Sequence, residues 1–167
     1  MIAGKVLGAY ASVGQLPPTE QAEWYRKATG EWGIDTFEIP ILAGVPLASE
    51  IVDVLIEVEA SLVVTLVAQW ATVGQKSPAY GLSSVEESFR QTAILDAYAV
   101  AQQCQSLSER GIHIRHMVLH TGQRCGETIP HAIAFYRSLV DLRQLVTDAL
   151  PDCRLAVEVT DSLPSNH

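Results

Sequence analysis

The sequence has few of the features that mark a disulfide scaffold, a zinc finger or a secreted protein. Its three cysteines are an odd number at wide spacing, and they form neither a CxxC nor a Cys/His finger pattern. The N-terminal Met-Ile-Ala-Gly-Lys places no basic region ahead of a long apolar stretch, so we expect no signal peptide. A reducing, cytoplasmic setting is therefore expected.

Positive charge is also scarce. The chain has 11 Lys and Arg against 19 Asp and Glu, which gives a net charge of −8 and a pI near 5.0. Such a balance leaves no basic stripe to neutralise phosphates, so we expect neither nucleic acid nor membrane as a partner. No apolar run approaches the roughly 20 residues that span a bilayer. The charge balance is compatible with a small polar substrate.

What is present indicates a globular protein with much buried strand. Hydrophobic residues make up 48% of the 167 residues and charged residues 18%, with a mean hydropathy of +0.17. This length fits one domain with a sizeable core.

Short apolar or alternating segments take turns with amphipathic helical patterns along the chain. The predicted strands cover 6–11, 34–39, 61–68, 112–120 and 154–159, and the predicted helices cover 19–32, 47–59, 84–110 and 129–150. Thr19 is the expected cap of the first helix, Gly33 its end, and Ser84 with Glu87 forms a capping box. The loop from Gln69 to Ser83 is a candidate lid.

This alternation predicts the α/β class, with five parallel strands and four crossover helices. A doubly wound sheet is the rival, but the turn after the first strand has neither GxGxxG nor GxxxxGK. We therefore expect an incomplete (β/α)8 TIM barrel over residues 1–161, followed by a polar tail, 162–167.

Three polar residues fall at predicted strand ends, where (β/α)8 barrels carry their chemistry: Glu38, His120 and Glu158. Side-chain alternation then places Phe37 and Ile39 under the helices when Glu38 points inward.

The same alternation sorts the two later strands. It places Ile114 inward with His116, Val118 and His120, and Met117 and Leu119 outward. In the fifth strand it places Ala156 inward with Glu158, and Leu155, Val157 and Val159 outward.

Carboxylates and imidazoles at a barrel mouth suit a divalent cation such as Mn²⁺, Mg²⁺ or Zn²⁺, or proton transfer on a sugar. Each such residue can equally bond a neighbouring loop. Trp70 and Tyr80 can stack on a sugar face, although packing is the commoner role of such aromatics. His113, His116 and His120 have helical rather than strand spacing and do not indicate a metal cluster, and Cys125 has no orienting partner.

Four stretches resemble the xylose-isomerase-like TIM barrels, and most of all a bacterial branch of unknown function: Val-Leu-Gly-Ala-Tyr-Ala-Ser (6–12), Gly-Ile-Asp-Thr-Phe-Glu-Ile-Pro (33–40), His-Met-Val-Leu-His-Thr-Gly (116–122) and Leu-Ala-Val-Glu-Val-Thr-Asp (155–161). The resemblance implies a metal-dependent sugar isomerase or epimerase. It implies that Glu158 is a metal ligand and that Glu38 and His120 are catalytic or line the substrate pocket.

The same resemblance implies further ligands after the sixth to eighth strands, beyond His167. We therefore expect residues 1–167 to be inactive alone. The alternative is a non-catalytic half-barrel or assembly module that self-associates through open sheet edges. A DNA-repair endonuclease fits least well, because acidic residues outnumber basic ones.

Overall fold

The computed structural model describes residues 5–74, 76–122 and 129–158. Its strands are β1 (Val6–Gly8), β2 (Thr36–Pro40), β3 (Ser61–Thr65), β4 (His113–His120) and β5 (Arg154–Glu158). Its helices are α1 (Ala9–Val13), α2 (Pro18–Trp32), α3 (Ser49–Glu57), α4 (Val67–Gln69), α5 (Glu87–Glu109) and α6 (Ile129–Ala149), with a π-helical turn at Trp70–Gly74.

The five strands form one parallel sheet in the order β1-β2-β3-β4-β5. Helices α2, α3, α5 and α6 lie between successive strands along the chain. The predicted α/β class, with five parallel strands and four crossover helices, is confirmed. The architecture is consistent with an incomplete TIM-like half-barrel.

The core lies between one face of the sheet and the crossover helices. Phe37 and Ile39 of β2, with Leu62 and Val64 of β3, are buried in one cluster with Tyr25 and other helix residues. β3 pairs with β2 and β4 along its two edges, and all of its residues are buried except Val63, which is half-buried. Gly33 ends α2 with a φ of 63°, as predicted, because only glycine takes this left-handed conformation without strain.

Local signals misplaced several element ends. The first strand ends at Gly8, and residues 9–11 belong to α1. Thr19 caps nothing, because Pro17 is the N-cap and Pro18 takes the first helical position, where a missing N–H is tolerated. Ser84 Oγ accepts from the N–H of Glu86 at 3.2 Å and so closes a turn ahead of α5, whose N-cap is Glu86.

The predicted alternation in β4 fails at one residue. Leu62 pairs with Ile114, but Val63 pairs with His116, so β4 carries a bulge at Arg115. The extra residue reverses the alternation, and Ile114 lies buried on the helix side with Met117 and Leu119 instead of inward. The inward positions of His116, Val118 and His120 follow the bulge and keep the predicted face.

Both ends of the candidate lid are packed against the rest of the protein. Its start belongs to α4 and the π-helical turn, and its end, Tyr80–Ser84, is buried. Ser83 N–H donates to the carbonyl of Thr121 at 3.1 Å, which ties this segment to the end of β4. A Cβ on Gly122 would lie 2.6 Å from Gly81 Cα, so the two backbones are in contact.

The strands β1 and β5 are the edges of the described sheet. Val157, which we expected to lie under a helix, is 46% exposed because no described helix covers the outer side of β5. Val159, Cys125 and the tail 162–167 lie outside the described residues. No helix among the described residues has the length and apolar character needed to cross a bilayer.

Candidate functional site

The ends of β3, β4 and β5 bring together a histidine, a threonine and a carboxylate. His120 pairs in register with Glu158, and Thr65 stands on the neighbouring strand. His120 Nε2 lies 2.8 Å from Thr65 Oγ1 and 3.9 Å from Glu158 Oε2. The sequence placed His120 and Glu158 at neighbouring strand ends, and the structure brings them into contact.

The two members of this pair differ in exposure. His120 is only 5% exposed, whereas the side chain of Glu158 is 62% exposed. Burial lowers the pKa of His120 below its ordinary value, and the charge of Glu158 partly opposes that shift. His120 is therefore neutral near pH 7, beneath a carboxylate that faces solvent.

Thr65 links His120 to the start of α4 through two hydrogen bonds. Thr65 Oγ1 accepts from the N–H of Val67 at 3.3 Å, so its own proton is available to Nε2. Nδ1 is buried and has no hydrogen-bond partner among the described residues.

The predicted sugar-stacking residues share a small cavity with His120. Trp70, Tyr80 and His120 line one cavity of about 20 Å³, together with Gly122. This volume holds about one water molecule and excludes a sugar.

Tyr80 has partners within the protein. It is 4% exposed, and its hydroxyl donates to Asp96 Oδ2 at 2.8 Å. Gln69 donates to the same oxygen at 2.8 Å and accepts from the N–H of Ala43. Burial, and then the bond to Asp96, raise the pKa of Tyr80. These contacts fix α4, α5 and the turn after β2 around the cavity.

The structure keeps Glu38 apart from the other predicted site residues. Glu38 pairs with Val63, which pairs with His116, four residues before His120. The offset corresponds to about 13 Å along the strands and about 10 Å across them. Glu38 points to the inward face as predicted, but it lies nearer the N-terminal ends of the strands than His120 does.

The described residues do not fit a catalytic metal centre. They contain no group of three or more His, Cys, Asp or Glu side chains that could hold an ion. Glu158 and His120 are two potential ligands, and Thr65 already contacts His120 Nε2. Catalytic zinc sites use three protein ligands, so a metal at Glu158 would need ligands beyond the described residues.

The chain matches one family, described as "Domain of unknown function (DUF4862)", over residues 6–167. The match covers almost the whole chain. The chain belongs to this family. No curated protein matches it.

In this DUF4862 chain, sequence reasoning missed Thr65, Gln69 and Asp96. Thr65 could have been predicted from the sequence, because it is a polar residue at the end of the apolar strand β3 and points to the same inward side as Val63. Asp96 gives no signal, since a lone carboxylate in a long helix is usually solvated. Only the packing of α5 against residues 69–80 brings it to Tyr80 and Gln69.

Proposed function

We propose that this chain carries a proton-transfer site for a sugar-like substrate, of the kind used by sugar isomerases and epimerases. The contact between buried His120 and exposed Glu158 at the ends of β4 and β5 supports the proposal. Active sites of (β/α)8 barrels form at this end of the strands.

The two side chains suit different steps. Isomerisation and epimerisation remove a proton from the carbon next to a carbonyl, leave the electron pair on the carbonyl oxygen as an enediolate, and return the proton to the neighbouring carbon or to the other face of the same carbon. Glu158 is the solvent-facing group and acts as the base. The neutral imidazole of His120, held by Thr65, packs 3.9 Å from the carboxylate of Glu158 and limits the positions that the carboxylate can take. Trp70 and Tyr80 line the cavity beside His120, which is too small to hold a sugar between them.

The divalent ion that the resemblance implies, Mn²⁺, Mg²⁺ or Zn²⁺, is not used in these steps. The steps can therefore be tested on residues 1–167, although the missing metal ligands led us to expect that these residues are inactive alone. Glu158 would be one ligand of such an ion, and the others would come from outside the described residues. Cys104 and Cys153 are free thiols, and this fits the cytoplasmic setting that we propose.

The test is hydrogen exchange at carbon. The chain is incubated in D2O with a panel of aldoses and ketoses, with and without Mn²⁺, and NMR follows deuterium incorporation next to the carbonyl. We expect Glu158→Gln to abolish exchange and His120→Asn to reduce it by about 100-fold, which is within the range for acid–base groups. Glu31→Gln, an exposed carboxylate on α2, is the matched control.

Glu38→Gln is measured beside them, since its separation from His120 predicts a smaller loss than either variant gives. Exchange that persists in both Glu158→Gln and His120→Asn would contradict the site. Absence of exchange with every sugar would contradict the proposed reaction for this chain.

A second candidate is an assembly module that pairs with another copy of itself. Helix α6 exposes an apolar stripe with the four-three-four spacing of a helix seam: Ile129, Ile133, Tyr136 and Val140. Light scattering over a concentration series should show a dimer that Tyr136→Lys dissociates. A monomer at every concentration would refute this candidate.

A further inference from the structure

A separate cavity of about 250 Å³ lies beyond the C-terminal ends of β1 and β2. Its floor is buried and includes Ala9, Ile39 and Ile41, while Tyr10 and Val45 form an exposed rim. None of its lining residues carries a charge. It shares no residue with the cavity beside His120, so it is a distinct space.

Tyr25 is the buried polar residue of this lining. It is 2% exposed, and its ring packs edge-on against Phe37 with centroids 4.9 Å apart. Its hydroxyl makes no hydrogen bond with any residue in the described parts of the chain, and burial raises its pKa. A hydroxyl in the cavity lining without a partner in the described residues is free to donate to a ligand that carries a hydrogen-bond acceptor.

The cavity is large enough for a small organic molecule. An engineered apolar cavity of about 150 Å³ binds benzene, so the larger space here suits a ring with a short substituent. The absence of charge on the lining disfavours an ionised ligand, because its desolvation would have no compensation.

We infer that this cavity binds a neutral molecule about the size of one substituted aromatic ring, which accepts a hydrogen bond from the Tyr25 hydroxyl. The ring lies against the apolar floor, and the acceptor meets Tyr25. The site is independent of the proposed proton transfer, because it uses none of the residues at the ends of β4 and β5.

Acetophenone, ethylbenzene and benzoate separate the parts of this inference. Acetophenone and ethylbenzene have similar size, but only acetophenone carries a carbonyl acceptor, and benzoate adds a negative charge. In calorimetric titrations of the full chain, acetophenone should bind at one site. Ethylbenzene should bind about 2- to 10-fold more weakly, the factor that one neutral hydrogen bond supplies. Benzoate should show no saturable binding.

Variants locate the site. Tyr25→Phe should bring acetophenone down to the affinity of ethylbenzene without lowering the unfolding midpoint, because the hydroxyl has no partner to lose. Ala68→Phe should block both ligands by filling the cavity, with Val45→Trp at the rim as the second filling variant if Ala68→Phe does not fold. Ala132→Phe, an exposed position on α6, is the matched control and should leave binding unchanged.

Three outcomes would overturn the inference. The first is no saturable binding of acetophenone, and the second is binding that survives a folded cavity-filling variant. The third is an unchanged preference for acetophenone in Tyr25→Phe, or a drop in its unfolding midpoint, which would show that the hydroxyl already has a partner in the protein.

Discussion

Replacing Arg90 should destabilise the chain far more than replacing a surface arginine. Arg90 projects from α5 with its side chain only 7% exposed. It contacts Glu87 at 2.6 Å, Asp141 at 3.2 Å and the hydroxyl of Ser138 at 3.2 Å. Ser138 in turn donates to the carbonyl of Leu82 at 2.7 Å. One buried guanidinium therefore ties α5, α6 and the segment before α5 together.

Arg90→Met keeps the length and the apolar contacts of the side chain but removes its donors. The bond to Ser138 joins a charged donor to a buried acceptor, and bonds of this kind contribute about 1.5–3 kcal/mol. Glu87 and Asp141 are largely exposed and regain water, so their ion pairs add little. We expect the free energy of unfolding to fall by about 2–3 kcal/mol, a large part of a domain's stability.

Urea denaturation followed by circular dichroism measures this loss. Arg26→Met is the matched control, because Arg26 pairs with Glu57 on the surface, where both side chains are about half exposed, and should change stability little. Combining Arg90→Met with Ser138→Ala should give a coupling energy of about 0.5–3 kcal/mol. Equal losses of unfolding free energy in Arg90→Met and Arg26→Met would show that Arg90 does not join α5 to α6. Strictly additive effects of Arg90→Met and Ser138→Ala would show the same.

Three other perturbations test the fold and the site. Val64→Asp should leave the chain unfolded by circular dichroism, because it places an unpaired charge in the fully buried centre of β3; a folded, soluble variant would contradict that assignment. Gly122→Ala should lower the free energy of unfolding in urea by about 1–3 kcal/mol, because Gly122 has a φ of 83° and contacts Gly81. Gly30→Ala, at an exposed position of α2, should leave stability unchanged or raise it. Because burial lowers the pKa of His120, the unfolded chain binds more protons below about pH 6.5, and stability should fall as the pH drops through that value. His120→Asn should flatten this dependence between pH 5 and 7, and an unchanged slope would show that His120 does not titrate as a buried group.

Strand and helix order was predictable because it rests on local patterns. The apolar run of β3 and the alternation of β2 each report which faces of a strand are covered, and Gly33 reports a left-handed helix end. The positions of His120 and Glu158 at the ends of adjacent strands follow from that order alone, since parallel strands end at the same edge of the sheet.

Tertiary structure decided what those residues contact. The bulge at Arg115 reverses the side of Ile114, and it is set by the pairing of β4 with β3, which no local pattern records. Tyr80 turned from a proposed stacking residue into a buried donor because α5 brings Asp96 beneath it. No local pattern distinguishes Arg90 from the other charged residues of its helix. Its buried partner Ser138 lies 48 residues away in sequence and reaches it only because α5 packs against α6. The sequence by itself determined the five-stranded α/β order and the placement of His120 and Glu158 at strand ends. Long-range packing alone decided which polar groups are buried, paired or left facing a cavity, because those energies depend on neighbours distant in the chain.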